Sequence, residues 1–267
     1  MPFAEVNNVK LYYEDHGQGF PLVLISGFGA DHVVWDAVLP FLKPHYRIIR
    51  FDNRGVGRSD APDEFYNIKT MADDTAALMD YLQIEQAYIC GHSMGTSISL
   101  NFALKYPQKV SKMILSNGFP KINALSKMVF DLLNRMIDYK CNLEILRDFF
   151  VPWGYANATL ANLDNYPEVT ARIEYGKTSK YPQTVIGFKR QLEALLSFSI
   201  DEELQKIAVP TLLIAGSNDI LTPLEDTQYL AERIPDTQLW IADDTGHMTF
   251  VEKPQESSKI IDDFLLE

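Results

Sequence analysis

A serine with one glycine two places before it and another two places after, Gly91-His92-Ser93-Met94-Gly95, constrains this chain more than any other stretch. Ahead of it, Ala87-Tyr88-Ile89-Cys90 is a short apolar run suited to a buried strand. Behind it, Ile98 and Phe102 among small residues suit a helix packed closely on a sheet. A strand that turns this abruptly into a helix forces the residue at the apex into a strained conformation. Its neighbours two places away must then be tiny. The apex serine is therefore read as a mounted nucleophile, with an ordinary helix N-cap as the bland rival.

On such a turn the serine is followed in chain order by an acid and then a histidine. Of His16, His32, His45, His92 and His247, only His247 lies beyond Ser93 without adjoining it. It stands in Asp243-Asp244-Thr245-Gly246-His247, after the strand-like Gln238-Leu239-Trp240-Ile241. The acid should leave the preceding strand, Thr211 to Ala215, and Asp219 does so in Gly216-Ser217-Asn218-Asp219. Asp226, Asp243 and Asp244 are its rivals. The first falls within a helical pattern, and the other two sit too close to His247 for a separate loop. A hydroxyl becomes a useful nucleophile when an imidazole takes its proton, and a carboxylate fixes the tautomer of that imidazole. Attack on an acyl carbon then places negative charge on oxygen, which needs two backbone N–H donors. Met94, just after the serine at a helix N-terminus, should supply one. Phe28, in the loop where Leu22-Val23-Leu24-Ile25 runs into Ser26-Gly27-Phe28-Gly29, should supply the other.

With these residues in place the chain resembles the α/β-hydrolase superfamily, and within it single-domain carboxylesterases, enol-lactonases and haloperoxidase-like serine hydrolases. The resemblance runs almost end to end. It includes Asp52-Asn53-Arg54-Gly55-Val56-Gly57-Arg58-Ser59, similar to the family's D-x-R-G-x-G-x-S loop, Pro210-Thr211 leading to Asp219, and Gly246-His247. Family members often carry His-Gly where this chain has Ser26-Gly27, a departure that bears on how the donor loop is held. The resemblance implies an α/β-hydrolase fold: a mainly parallel eight-stranded sheet covered by helices, with a helical cap after the sixth strand. An aspartate would replace Ser93 in the family's haloalkane dehalogenases and epoxide hydrolases, so those activities are not expected.

The strand–helix alternation that specifies a parallel sheet covers 1–118 and 200–267, which together form the expected core. Strands are read at Val9–Glu14, Leu22–Ile25, Arg47–Phe51, Ala87–Cys90, Lys112–Leu115, Thr211–Ala215 and Gln238–Ile241. A single helix is expected through Trp35, Val38, Leu39 and Leu42, and another opened by Pro254. Between 119 and 199 only helical patterns occur, broken by Pro152-Trp153-Gly154, Pro167 and Pro182, as expected of a cap over the ligand-binding ends of the strands. Met128, Phe149, Phe150 and Trp153 are candidate pocket walls, though most apolar cap residues simply pack the cap. His92 is expected to point away along the turn. Asp52, Arg54, Gly55 and Gly57 read as a structural brace, since no complete G-x-G-x-x-G precedes a helix.

Composition excludes some partners. A net charge of −12 argues against nucleic acid, whose phosphates need a basic surface. No signal-peptide pattern or run of membrane-spanning length occurs, and Cys90 and Cys141 are poor disulfide candidates, so the chain reads as cytoplasmic. No metal-binding or phosphate-cradling motif is present, and neither metal nor organic cofactor is expected. The span 119–199 holds ten Lys and Arg against eight Asp and Glu, on an otherwise acidic chain. A mildly basic cap could receive an anionic ligand or an acidic acyl-carrier protein. The favoured function is a serine hydrolase acting on a small to medium carboxylic ester, lactone or thioester. A non-turnover ligand receptor on the same fold, or a cofactor-free perhydrolase or C–C hydrolase, are the alternatives.

Overall fold

The computed structural model describes residues 2–267. Among them eight strands form one sheet: β1 (Phe3–Val6), β2 (Val9–His16), β3 (Pro21–Ile25), β4 (Arg47–Phe51), β5 (Ala87–His92), β6 (Val110–Ser116), β7 (Thr211–Gly216) and β8 (Thr237–Ala242). Their order is β1-β2-β4-β3-β5-β6-β7-β8, with β2 antiparallel to β1 and β4 and every other pair parallel. Successive side chains of a strand point to opposite faces, so the apolar runs of the central strands feed two cores at once. Val23 and Ile25 enter one core with Ile89, Leu115 and Leu213; Leu22 and Leu24 enter the other with Cys90, Ile114 and Leu212.

Helices cover both faces. In chain order they are α1 (Leu39–Leu42), α2 (Ile68–Tyr81), α3 (Met94–Lys105), α4 (Ala124–Asp138), α5 (Leu143–Gly154), α6 (Asn157–Leu160), α7 (Pro167–Thr178), α8 (Val185–Leu196), α9 (Leu224–Arg233), α10 (Thr249–Glu252) and α11 (Pro254–Leu266). Residues of α2 and α3 pack in the first core, those of α1 and α11 in the second. Local signals set the helix starts. Asn67 and Thr70 form a capping box at α2, while Asn123, Asn142 and Thr184 cap α4, α5 and α8 with side-chain acceptors. Among the described residues no helix is long and apolar enough to cross a membrane.

Helices α4 to α8 lie between β6 and β7 in the chain. They leave and rejoin the sheet at one neck, where Lys121 bridges Ser199 and Ile200 N–H donates to Pro120 O at 3.1 Å. Beneath them, the Asp52 carboxylate braces the loop after β4. It accepts His32 N–H and Nδ1 at 2.8 and 2.7 Å and Arg58 N–H at 2.8 Å. Arg54 and Asp74, both buried, pair at 2.5 Å.

Three readings of the sequence change. The chain from Trp35 to Leu42 is two pieces, a 3₁₀ turn at His32–Trp35 and the four-residue α1. Pro40 enters at the start of α1, where its missing N–H costs nothing but where a longer helix could not pass through it. Pro152 does not end α5, which runs on to Gly154 and carries the proline in its last turn. An additional strand, β1, pairs with β2 across Asn7 and Asn8, both at positive φ (47° and 60°). Two such residues between short strands are the chemistry of a tight hairpin turn, a signal that was there to be read.

The turn between β5 and α3 depends on missing side chains. A Cβ on Gly95 would strike the Ile25 carbonyl oxygen of β3, and one on Gly91 would strike the Gly95 carbonyl. Neither obstacle can move without breaking sheet or helix. Gly95→Ala should therefore cost about 1–3 kcal/mol of stability in urea unfolding. Gly154→Ala, where a Cβ meets only Met248 at 3.5 Å, should be neutral or slightly stabilising. Equal effects would show that the turn tolerates a side chain.

Candidate active site

Ser93 occupies the apex with φ 54° and ψ −120°, a region costly to any residue with a side chain. Its own N–H is held by Ser116 O at 2.9 Å, which ties the apex to the end of β6. Asp219 leaves β7, and His247 follows β8. Their side chains meet: His247 Nδ1 lies 2.8 Å from Asp219 Oδ2, with both side chains buried. The carboxylate accepts four further hydrogen bonds. Leu221 and Thr222 N–H groups reach Oδ1 at 2.9 Å, and Asn117 Nδ2 and the Thr222 hydroxyl reach Oδ2 at 2.9 and 2.7 Å. Burial alone would raise the Asp219 carboxyl. The His247 charge and the hydrogen bonds from His247 and Thr222 outweigh it, and the net shift is downward.

An imidazole so held donates from Nδ1 and presents an acceptor at Nε2. That nitrogen is buried and has no hydrogen-bond partner among the described residues. Ser93 does not hydrogen-bond to it. A small cavity is lined by Ser93, Phe119, Ile122, Asn123, Ser126, Phe130, Leu195, Leu221 and Thr222, and Thr222 itself stands 3.0 Å from His247 Nδ1. The free volume is about 10 Å³, room for a single water. Met94 N–H and Phe28 N–H both lack acceptors among the described residues. The donor loop has a support where the family histidine is missing. Ser26 Oγ accepts Trp35 Nε1 at 3.1 Å, and Asn53 Nδ2 donates to Ser26 O at 2.9 Å.

The structure also places the base loop against the cap. Glu252 Oε1 accepts Gly246 N–H at 2.6 Å, while Oε2 accepts Ala156 N–H at 3.1 Å and the Thr159 hydroxyl. Met248 N–H donates to Gly154 O at 2.8 Å. Burial raises the Glu252 carboxyl despite these three donors.

His92 does not point away. Its ring packs against that of His247, with centroids 4.8 Å apart, and against Phe250 at 4.8 Å. Burial, with His247 beside it, holds His92 well below the usual histidine range, so it is a neutral neighbour of His247. The proposed cap walls divide. Phe150 joins a ring cluster with Phe28 and Phe130, at 6.2 and 6.3 Å. Phe149 and Trp153 pack on each other at 6.1 Å, and neither lines the cavity beside Ser93. Met128 is 71% exposed on the outer side of α4. Consecutive helical residues are separated by about 100°, so Val129, Phe130, Leu133 and Ile137 take the inner face. Asn117 and Thr222 escaped the sequence reading because nothing in a loop sequence marks a residue that supports an acid from the side.

The cap's cations are mostly engaged. Lys189 pairs with Asp138 at 2.5 Å, Arg190 with Asp63 and Glu193 at 3.0 and 2.7 Å, and Arg147 donates to Gly176 O at 2.5 Å. None of them lines the cavity. Among the described residues no group of three or more His, Cys, Asp or Glu side chains converges as metal ligands would.

Comparison with known proteins shows the family of the fold. Residues 21–254 match the family model for the alpha/beta hydrolase fold. A protein of Stutzerimonas stutzeri strain A1501 named as a carbamate hydrolase, RutD, is 32% identical over 96% of this chain and 97% of its own length. A protein of Acinetobacter baylyi named 3-oxoadipate enol-lactonase 2 is 27% identical over 93% and 90%. Among solved structures, the enol-lactonase of Burkholderia xenovorans LB400 superposes with a TM-score of 0.90 at 27% identity, covering 100% of both chains.

The lowered Asp219 carboxyl has a consequence for stability. An aspartate whose folded pKa lies below its unfolded value of about 3.9 stabilises the fold above that value, and the contribution is lost as the pH falls through the folded pKa. In melting curves from pH 6 to pH 3, Asp219→Asn should be less stable than the wild type near pH 6. The gap should narrow below about pH 4. A gap that widens on acidification would mean that Asp219 is not held ionised by its partners.

Proposed function

The chain belongs to the alpha/beta hydrolase fold family, and from that premise we propose that it is a serine hydrolase of small carboxylic esters, lactones or thioesters. The observation that carries the reading is the buried Asp219–His247 pair, whose imidazole has an unpartnered Nε2, together with the strained Ser93, which shares a small cavity with Thr222, a hydrogen-bond partner of both Asp219 and His247. In this reading Ser93 Oγ attacks the acyl carbon while its proton passes to His247 Nε2. Asp219 steadies the imidazolium, and the carbonyl electron pair moves to oxygen facing Phe28 and Met94 N–H. Collapse expels the alkoxide, which takes the proton from His247 and leaves an acyl-enzyme. Water then repeats the sequence and frees the acid. His92, neutral and packed against His247, adds no positive charge against the imidazolium.

Cavity size and lining bear on the substrate. Apolar walls at Phe119, Ile122, Phe130, Leu195 and Leu221 favour a short apolar acyl group. The absence of a cation from that lining, and the pairing of Lys189 and Arg190 elsewhere, give an acyl-carrier substrate little support. A carbamate is the second reading, favoured by the name of the 32% identical relative; its carbonyl carbon would meet the same nucleophile.

Replacement of Ser93 or His247 by Ala should lower kcat on p-nitrophenyl acetate by roughly 10⁴–10⁶-fold, with Asp219→Asn costing about 10⁴-fold. Retained turnover in Ser93→Ala would remove the proposal. In an ester series, kcat/KM for acetate and propionate should exceed that for octanoate by about tenfold or more. A carbamate cleaved faster than every ester would select the second reading.

A further inference from the structure

Phe28 is gripped by the cap at both of its ends. Its ring is surrounded by Phe130 of α4, Phe150 of α5 and Phe188 of α8, with centroids at 5.3, 6.2 and 4.9 Å. The next peptide is held by Gln191 of α8, a fully buried side chain whose Oε1 accepts Gly29 N–H at 3.0 Å. Gln191 has no freedom left, because its Nε2 donates to Arg54 O at 2.7 Å. Gln183 completes the clamp, donating to Gln191 Oε1 at 2.9 Å and to Gly55 O at 3.2 Å. Gly29 sits at φ +66°, so the peptide following Phe28 takes a direction that few residues hold unaided.

We propose that Gln191 is a positioning residue that aims Phe28 N–H at the reacting oxygen, so that seating of the cap completes the oxyanion site. The inference rests on the reading of this chain as a serine hydrolase with Phe28 as one donor. A substrate carbonyl carries little charge in the ground state and nearly a full negative charge after attack. A misaimed donor therefore weakens the transition state far more than substrate binding. A buried glutamine serving stability alone would change the amount of folded protein and leave the turnover of each folded molecule intact.

Two substitutions separate these roles. Gln191→Met keeps length and removes both polar atoms, and Gln191→Glu keeps the acceptor for Gly29 N–H. The readouts are kcat and KM on p-nitrophenyl acetate per folded molecule, and inhibition by a short trifluoromethyl ketone. That ketone takes Ser93 Oγ at its carbonyl carbon, gives the hydroxyl proton to His247 Nε2, and places the carbonyl electron pair on an oxyanion. Gln191→Met should lower kcat about 10–100-fold, less than outright loss of an oxyanion donor, with KM within about threefold. Ketone affinity should fall by the same factor as kcat/KM, and Gln191→Glu should retain more of both than Gln191→Met. Should Gln191→Met fail to fold, Gln183→Met decides on the same readouts, with a smaller loss in the same direction. A folded variant with kcat within about twofold of wild type, or with unchanged ketone affinity, overturns the proposal. Loss of the underlying hydrolase reading would look different: Ser93→Ala would then turn over the ester as fast as wild type.

Discussion

A close approach of backbones, where the turn from β5 to α3 passes β3, is the constraint on which the rest depends. Gly91 and Gly95 let α3 press against Ile25, and Gly27 lets the neighbouring loop press against Ser93, where a Cβ would lie 3.1 Å from that of the serine. Because those three positions lack side chains, the turn of Ser93 and the loop of Phe28 can lie side by side at the strand ends. Packing on both faces of the sheet then holds the apex in a backbone conformation it would not choose alone. Strain stored at Ser93 is offset by core burial elsewhere.

Around this rigid centre the cap is stitched to the core through buried polar groups rather than through apolar contact alone. Glu252 spans the two, taking Gly246 N–H from the loop of the base and Ala156 N–H with the Thr159 hydroxyl from the cap. Burial raises its carboxyl, and the three donors work against that rise. Removing any one of them leaves a buried carboxyl oxygen or its donor short of a partner. Such junctions specify a single cap position more sharply than greasy surfaces, which can slide.

How much could be read in advance follows from what sequence encodes. The turn at Ser93, the strands β3 to β8 and the meeting of Asp219 with His247 rest on local pattern and chain order, both of which survive in one dimension. The inner face of α4 was equally legible, since Val129, Phe130, Leu133 and Ile137 repeat at helical spacing, yet bulk alone drew attention to Met128 on the outer side. Asn117, Thr222, Gln191 and Glu252 were not legible. Each works by reaching a backbone or carboxylate brought near from a distant segment, and such a meeting has no local signature. The substitution of Ser26 for the family histidine became intelligible only when Trp35 and Asn53 were seen to hold it.

The order of strands has a bearing on biosynthesis. β7 takes its place beside β6 only after the whole span 119–199 has been made, and β8, the loop of His247 and α11 come last. Pairings between segments so far apart form slowly, because chain entropy must be lost before contacts are gained. A nascent chain already carries Ser93 at the end of β5 while still lacking Asp219, His247 and the last two strands of its sheet. The neighbourhood of Ser93 is thus among the last parts of the molecule to be completed, and its assembly reports that the whole chain has been made and folded.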